Sequence, residues 1–222
     1  ENFLHDDEYR EVRNDSEKIF LKLHEYEHKR VVKGPNLLES IYVKSNDLKD
    51  CKNIAKIFSE KMLFNLYNAL NKSVVVNREN FHFKLQKITQ NFKKGSNDID
   101  EDTYLHEDTY FDTYKIFYFI DEVKLKDGPF KYVLGSHKIT FWKLLFSYLY
   151  SIRVFPWKDS FEWRKITKTE LQLRKLKAVE FVVPKNTLLV ANVNGYHGRL
   201  QGDGEGSRKA LGMNIRLNPF GR

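Results

Sequence analysis

A histidine and an aspartate stand two positions apart at the start of an aromatic, alternating stretch, LHEDTYFDTYKIFYFIDEV, at residues 105–123. In a β-strand, side chains at positions i and i+2 point to the same face. His106 and Asp108 would therefore present an imidazole and a carboxylate to one spot inside the fold. The spacing alone is weak support for a site, because His5 and Asp7 repeat it in an acidic, turn-like context.

A third candidate ligand lies much further along the chain. His197 follows an apolar, strand-like run in VANVNGYHGR, and Arg208 comes eleven positions later, at the start of RKALGMNIR. Two imidazoles and one carboxylate form the facial triad that holds non-haem Fe(II) and leaves three coordination positions open for chemistry with oxygen. We therefore predict that His106, Asp108 and His197 converge on one iron site.

The segment HEYEH at residues 24–28 offers a competing metal motif. It matches H-E-x-x-H, in which two histidines one helical turn apart bind zinc beside a glutamate base. The glycine and third histidine of the extended motif do not follow, and the segment is strongly charged, as a solvated helix face is. A zinc hydrolase that uses His24, Glu25 and His28 is the less favoured alternative.

The order and spacing of the first set resemble the phytanoyl-CoA dioxygenase family of Fe(II)/2-oxoglutarate oxygenases over roughly residues 81–217. The matching elements are HED at 106–108, FYFIDEVKLKDGPFKYVLGSHK at 117–138, PKNTLLVANVNGYHG at 184–198, and the arginine eleven positions after the distal histidine. The sequence departs from the family pattern at Leu134, where the family has proline, and at Phe117, where many members carry tryptophan.

The resemblance implies Fe(II) as cofactor, 2-oxoglutarate and O2 as co-substrates, and hydroxylation of a small molecule with release of succinate and CO2. It makes His106, Asp108 and His197 both the metal ligands and the catalytic residues. Asp108 fills the position that related halogenases leave to glycine or alanine, so hydroxylation is favoured over halogenation. A jelly-roll module that binds a metal or ligand without turnover is the alternative of a different class.

The resemblance also implies a 2-oxoglutarate site. Arg208 would pair with the distal carboxylate, a task that suits a guanidinium because it is permanently charged and binds carboxylates with two parallel hydrogen bonds. Phe117 is expected in the cofactor pocket. Lys87 or Gln86 would be the second anchor on another strand.

The implied fold class is mainly β with flanking helices, a double-stranded β-helix or jelly roll of the cupin-like class. We expect a single domain over residues 1–222. Its first 80 residues would be a helical support, and residues 81–217 would form the jelly-roll core with a helical insertion at about 138–178.

Hydrophobic periodicity predicts the elements that must position the site. Helical spacing favours helices at 15–30, with Ser16 as N-cap, from Asn46 or Asp47 to about Leu70, and at 139–153. Alternation favours strands at 81–92 and 113–123, and the stretch 167–179 fits either helix or strand.

Composition limits the partners. The formal net charge is +8, but the basic residues are scattered, so we expect no nucleic-acid binding and favour a small anionic or amphipathic substrate. Cys51 is the single cysteine, which excludes an intrachain disulfide and suggests a reducing compartment. There is no apolar run of the length that spans a membrane, and a cytoplasmic location is expected.

Overall fold

A computed structural model describes residues 2–26, 29–33, 36–44, 52–57, 65–66, 69, 82–90, 101–154 and 164–216. The strands are β1 (Lys29–Val32), β2 (Asn36–Lys44), β3 (His82–Gln90), β4 (His106–Glu107), β5 (Thr113–Phe119), β6 (Phe130–Val133), β7 (Arg164–Lys165), β8 (Ala178–Phe181), β9 (Thr187–Asn192), β10 (His197–Arg199) and β11 (Ser207–Arg216). The α-helices are α1 (Asp6–Leu21), α2 (Lys52–Ile57), α3 (Phe141–Val154) and α4 (Lys168–Leu173).

The strands form two antiparallel sheets that enclose an aromatic interior. The larger sheet has the order β1-β2-β3-β11-β5-β9, and the smaller sheet has the order β7-β4-β10-β6-β8. Phe117 of the larger sheet meets Phe130 of the smaller one, with ring centroids 5.4 Å apart. The fold is therefore mainly β with flanking helices, the jelly roll that the sequence predicts.

Alternation along β5 divides the larger sheet into an inner and an outer face. Ile116 and Tyr118 point outward into a cluster with Val12 and Ile19 of α1, and burial of each such side chain contributes about 1.5–3 kcal/mol. Lys115, Phe117 and Phe119, which alternate with these two residues, face the interior. Helix α1 thus covers one side of the sheet, so that the opposite side is left for a pocket.

The smaller sheet is covered on its outer side by the predicted insertion. Helix α3 lies where helical spacing predicts it, and its Lys143 donates to the carbonyl oxygen of Asn194 at 2.7 Å. Helix α4 begins after Thr167, whose side chain accepts from the backbone N–H of Glu170 as an N-cap. The insertion also contains β7, a strand that pairs with β4, so it is not wholly helical.

The N-terminal part contains strands in addition to the helical support that the sequence predicts for residues 1–80. Strands β1 and β2 pair with each other, and β2 pairs along its length with β3, so these two strands extend the larger sheet. The first helix begins at Asp6 rather than at Ser16, which is buried inside it. Of the helix predicted up to Leu70, most residues lie outside the described ones, and α2 falls within it.

None of the helices in the described part of the chain combines the length and hydropathy that crossing a bilayer requires.

Candidate metal centre

His106, Asp108 and His197 come together on the inner side of the smaller sheet. His106 lies on β4 and pairs in register with His197 on β10. One ligand atom from each of the three residues lies within 4.8 Å of the other two. The Nε2 atoms of His106 and His197 are 3.6 Å and 3.5 Å from Oδ1 of Asp108. The structure therefore brings together the three residues that the sequence predicts as ligands.

Backbone carbonyls set the orientation of both imidazoles. Nδ1 of His106 is 2.9 Å from the carbonyl oxygen of Tyr104, and Nδ1 of His197 is 2.9 Å from that of Gly195. A carbonyl oxygen can only accept, so each Nδ1 donates to it and each Nε2 is left as the ring nitrogen that faces Asp108. Metal-binding histidines held by outer partners have the same arrangement.

The electrostatic environment favours the ligand forms of His106 and Asp108. Burial and the neighbouring His197 lower the pKa of His106 below its ordinary value. Burial alone would raise the pKa of Asp108, but His197 and Lys115 together hold that pKa well below its usual range. A neutral imidazole and an ionised carboxylate are the states that a metal ion requires.

The site fits a divalent cation. Oδ1 of Asp108 and Nε2 of His197 are both buried and have no hydrogen-bond partner among the described residues. The two atoms are 3.5 Å apart, which is beyond the length of a normal N–H···O hydrogen bond. Buried polar atoms are rarely left in this state, and a cation between them would supply the missing interaction.

Lys115 also belongs to the site, although the sequence analysis does not single it out. Its Nζ lies 2.5 Å from Oδ2 of Asp108. Lys115 shares the inner face of β5 with Phe117. A lysine on the interior face of an otherwise aromatic strand is the sequence feature that could have identified Lys115 as a site residue.

Arg208 is buried on the inner side of β11. It pairs with Ile88 and lies two positions from Ala210, whose cross-strand partner is Phe119. Alternation therefore directs Arg208 toward the same interior as Phe117. Two aromatic neighbours, Phe119 and Phe130, contact the Phe117 ring, so Phe117 is part of the interior wall.

Lys87 is not brought toward the triad. It lies two positions from Leu85, which is in the outer cluster with α1, and its Nζ is 3.7 Å from Oε2 of Glu39. Gln86, the other residue considered as the second anchor, pairs with Ala210 and alternates to the inner side. The Lys87 side chain is thus directed to the opposite face of the sheet from the pocket.

The described residues of the HEYEH segment, 24–26, do not form the α-helix that a zinc motif needs. Helix α1 ends at Leu21, and His24 and Glu25 follow on one turn of 3-10 helix with both side chains exposed. His28 lies outside the described residues. The described part therefore places one candidate zinc ligand in solvent.

A buried ionic cluster lies directly behind the triad, on the outer side of the smaller sheet. Nε of Arg164 is 2.5 Å from Oε1 of Glu107, and its Nη1 is 2.7 Å from Oε2 of Glu170. Nη2 of Arg164 also donates to the hydroxyl of Tyr196 at 3.0 Å. Glu107 lies between His106 and Asp108 in the chain, and Tyr196 precedes His197, so Arg164 contacts a direct chain neighbour of every candidate ligand.

Solved structures of the same fold include proteins with metal and 2-oxoglutarate bound. EctD from S. alaskensis with bound Fe matches with a TM-score of 0.65 and 14% identity, over 96% of this chain and 70% of that one. HygX from Streptomyces hygroscopicus with nickel and 2-oxoglutarate bound matches with a TM-score of 0.56 and 16% identity, over 96% of this chain and 79% of that one. The epimerase SnoN in complex with Fe3+, alpha ketoglutarate and nogalamycin RO matches with a TM-score of 0.59 and 12% identity, over 99% of this chain and 84% of that one. At these identities the likeness establishes the fold.

No protein-family model matches the sequence, and no curated protein matches it at significant similarity. The resemblance to the phytanoyl-CoA dioxygenase family in particular therefore stays a prediction.

Proposed function

We propose that this chain is an Fe(II)/2-oxoglutarate-dependent oxygenase acting on a small molecule. The observation that carries the proposal is the convergence of His106, Asp108 and His197, whose ligand atoms all lie within 4.8 Å of one another inside a jelly roll. This donor set suits Fe(II) and leaves coordination positions open. HygX has the same fold and holds nickel and 2-oxoglutarate, and EctD holds Fe, which supports the same two partners here.

In this proposal each ligand has a defined task. The bound iron and 2-oxoglutarate would supply the oxidising chemistry, consuming O2 and releasing succinate and CO2 while one oxygen atom goes to the substrate. His106 and His197 contribute the Nε2 lone pairs that the carbonyls of Tyr104 and Gly195 orient. Asp108 contributes one negative charge, which offsets half of the charge of a divalent ion.

We assign Arg208 to the distal carboxylate of 2-oxoglutarate. Its burial supports this role, because a guanidinium in a low-dielectric interior attracts a carboxylate more strongly than one in water does. Phe117 would line the same pocket and exclude water from it. Gln86, rather than the outward-facing Lys87, would be the second anchor.

The proposed reaction is hydroxylation, and the proposed substrate is a small anionic or amphipathic molecule. A net charge of +8 attracts anions to the chain as a whole, and strand alternation places Lys115, Arg199 and Arg208 at inward-facing positions. SnoN shares the fold and is an epimerase, so product analysis is needed to identify the outcome of the reaction.

The experiment is a succinate assay with Fe(II), 2-oxoglutarate and O2. Wild-type protein should convert 2-oxoglutarate to succinate, and a screen of small anionic metabolites should find compounds that accelerate it. Asp108→Ala and His197→Ala should abolish the conversion. Metal binding without any succinate formation would favour a non-catalytic module, and full turnover in either variant would remove the basis of the proposal.

A further inference from the structure

The two oxygens of the Asp108 carboxylate have different neighbours. Oδ1 faces the imidazoles, 3.6 Å from Nε2 of His106 and 3.5 Å from Nε2 of His197. Oδ2 points the other way and lies 2.5 Å from Nζ of Lys115. The carboxylate is thus divided between the candidate metal position and an ammonium group.

Lys115 is held by a different part of the fold from Asp108. It lies on β5 in the larger sheet, paired with Asn214 of β11 on one side and with Ala191 of β9 on the other. Asp108 follows the end of β4 in the smaller sheet, where its backbone N–H donates to the carbonyl oxygen of Val193 at 3.2 Å. The Lys115 to Asp108 contact therefore joins the two sheets, and it sets the rotation of the carboxylate independently of the strand that carries it.

We propose that Lys115 is a positioning residue that holds Oδ2 and so restricts Asp108 to binding the metal through Oδ1 alone. This inference rests on the proposed function. A six-coordinate metal with two imidazoles and one carboxylate oxygen keeps three positions open, enough for a chelating 2-oxoglutarate and O2. If both oxygens bound the metal, one of those positions would be lost, and the chelating co-substrate would compete with Asp108.

Replacing the ammonium group with an apolar group should weaken a different binding step from replacing it with a guanidinium. Lys115→Met keeps the length of the apolar stem but frees Oδ2, so the metal should still bind while 2-oxoglutarate binds more weakly. Lys115→Arg introduces a planar group that binds both oxygens of a carboxylate at once. It should draw Oδ1 away from the metal, and so weaken metal binding itself. A lysine that only stabilised the fold would give neither pattern.

The test uses the Co(II)-loaded protein under anaerobic conditions, with the visible absorption of Co(II) as a report of its coordination number. In Lys115→Met we expect Co(II) affinity close to that of wild type, a changed Co(II) spectrum, and a 2-oxoglutarate Kd raised about tenfold, the scale typical of outer-shell partners. In Lys115→Arg we expect Co(II) affinity to fall about tenfold.

Lys87→Met is the matched control, because Lys87 is a half-buried sheet lysine on the opposite face, paired with Glu39 at 3.7 Å. It should match wild type in every readout.

The outcomes separate this inference from the proposed function. A wild-type protein that binds neither Co(II) nor 2-oxoglutarate overturns the proposed function, and this inference with it. If the wild-type protein binds both ligands, and folded Lys115→Met has an unchanged Co(II) spectrum and an unchanged 2-oxoglutarate affinity, only the role of Lys115 is overturned. If Lys115→Met does not fold, the Lys115→Arg variant decides, and wild-type Co(II) affinity in that variant overturns the inference.

Discussion

Arg164 and Glu107 form an ion pair immediately behind the candidate metal centre, with Nε of the arginine 2.5 Å from Oε1 of the glutamate. Their side chains are 4% and 2% exposed, respectively. Glu107 stands between two candidate ligands in the chain and points to the opposite face of the sheet. The pair therefore connects β7 to the segment of β4 and Asp108 that presents two of the candidate ligands.

Removal of this arginine should destabilise the protein strongly. Arg164→Met removes the shortest ionic contact of both Glu107 and Glu170 and leaves them the longer contacts to Lys143 at 3.5 Å and to Arg174 at 3.8 Å. Breaking a buried pair from one side costs about 3–5 kcal/mol, and we expect the lower end of this range. Urea denaturation measures the change in the free energy of unfolding. The neighbouring Lys165→Met is the control and should cost less than about 1 kcal/mol, because its pairing with Glu101 is exposed. Equal stabilities for the two variants would show that the buried pair does not hold the insertion in place.

Gly198 should control the orientation of a ligand on the neighbouring strand. A Cβ at this position would lie 2.7 Å from the carbonyl oxygen of Tyr104, the atom that accepts from Nδ1 of His106. Gly198→Ala must displace that carbonyl, and we expect metal affinity to fall by about tenfold. Isothermal titration calorimetry with Ni(II) measures the metal affinity. Gly212→Ala is the control, because the atoms nearest to a Cβ added at Gly212 lie 3.7 Å away or further. An unchanged affinity in Gly198→Ala would mean that the carbonyl does not orient the imidazole.

Arg208→Met should weaken 2-oxoglutarate binding without weakening metal binding. Loss of a charge-assisted partner for a buried carboxylate should raise the 2-oxoglutarate Kd of the Ni(II)-loaded protein about tenfold or more. Lys209→Met is the matched control, because Lys209 is adjacent on β11, points to the opposite face and lies 3.7 Å from Asp121. If both variants bound 2-oxoglutarate as wild type does, the anchor would have to be another residue.

The HEYEH segment should be dispensable for metal binding. His24 is exposed on a short turn, so His24→Ala should bind Ni(II) with wild-type affinity, whereas His197→Ala should lose the site. Titration of both variants against wild type checks this. A large loss of affinity in His24→Ala would restore the zinc motif as a competitor of the triad.

The sequence predicts the triad because its signals are local or follow a fixed spacing. His106 and Asp108 are related by the two-residue period of a strand, and His197 follows an apolar run of strand character. Their meeting in space requires only that β4 and β10 be neighbours, as the jelly roll arranges. The same alternation places Phe117 and Arg208 toward the interior.

What the sequence misses depends on register between distant segments. The stretch that contains Lys87 has polar and apolar residues on both faces, and a shift of one residue exchanges its inner and outer sides. The contact of Lys115 with Asp108 joins two different sheets, and the pairing of Glu107 with Arg164 joins a strand to a distant insertion. The alternation of β2 is weak in LLESIYVK, so its place in the larger sheet is set by pairing with β3.

The most direct test of the account is anaerobic titration of the metal-free protein with Fe(II) and then 2-oxoglutarate. A facial triad with open positions predicts a weak visible charge-transfer band that appears only when both are present. The band should be absent in His197→Ala and retained in His24→Ala. Failure of the wild-type protein to develop it, or an undiminished band in His197→Ala, would contradict the assignment of His106, Asp108 and His197 as the iron site.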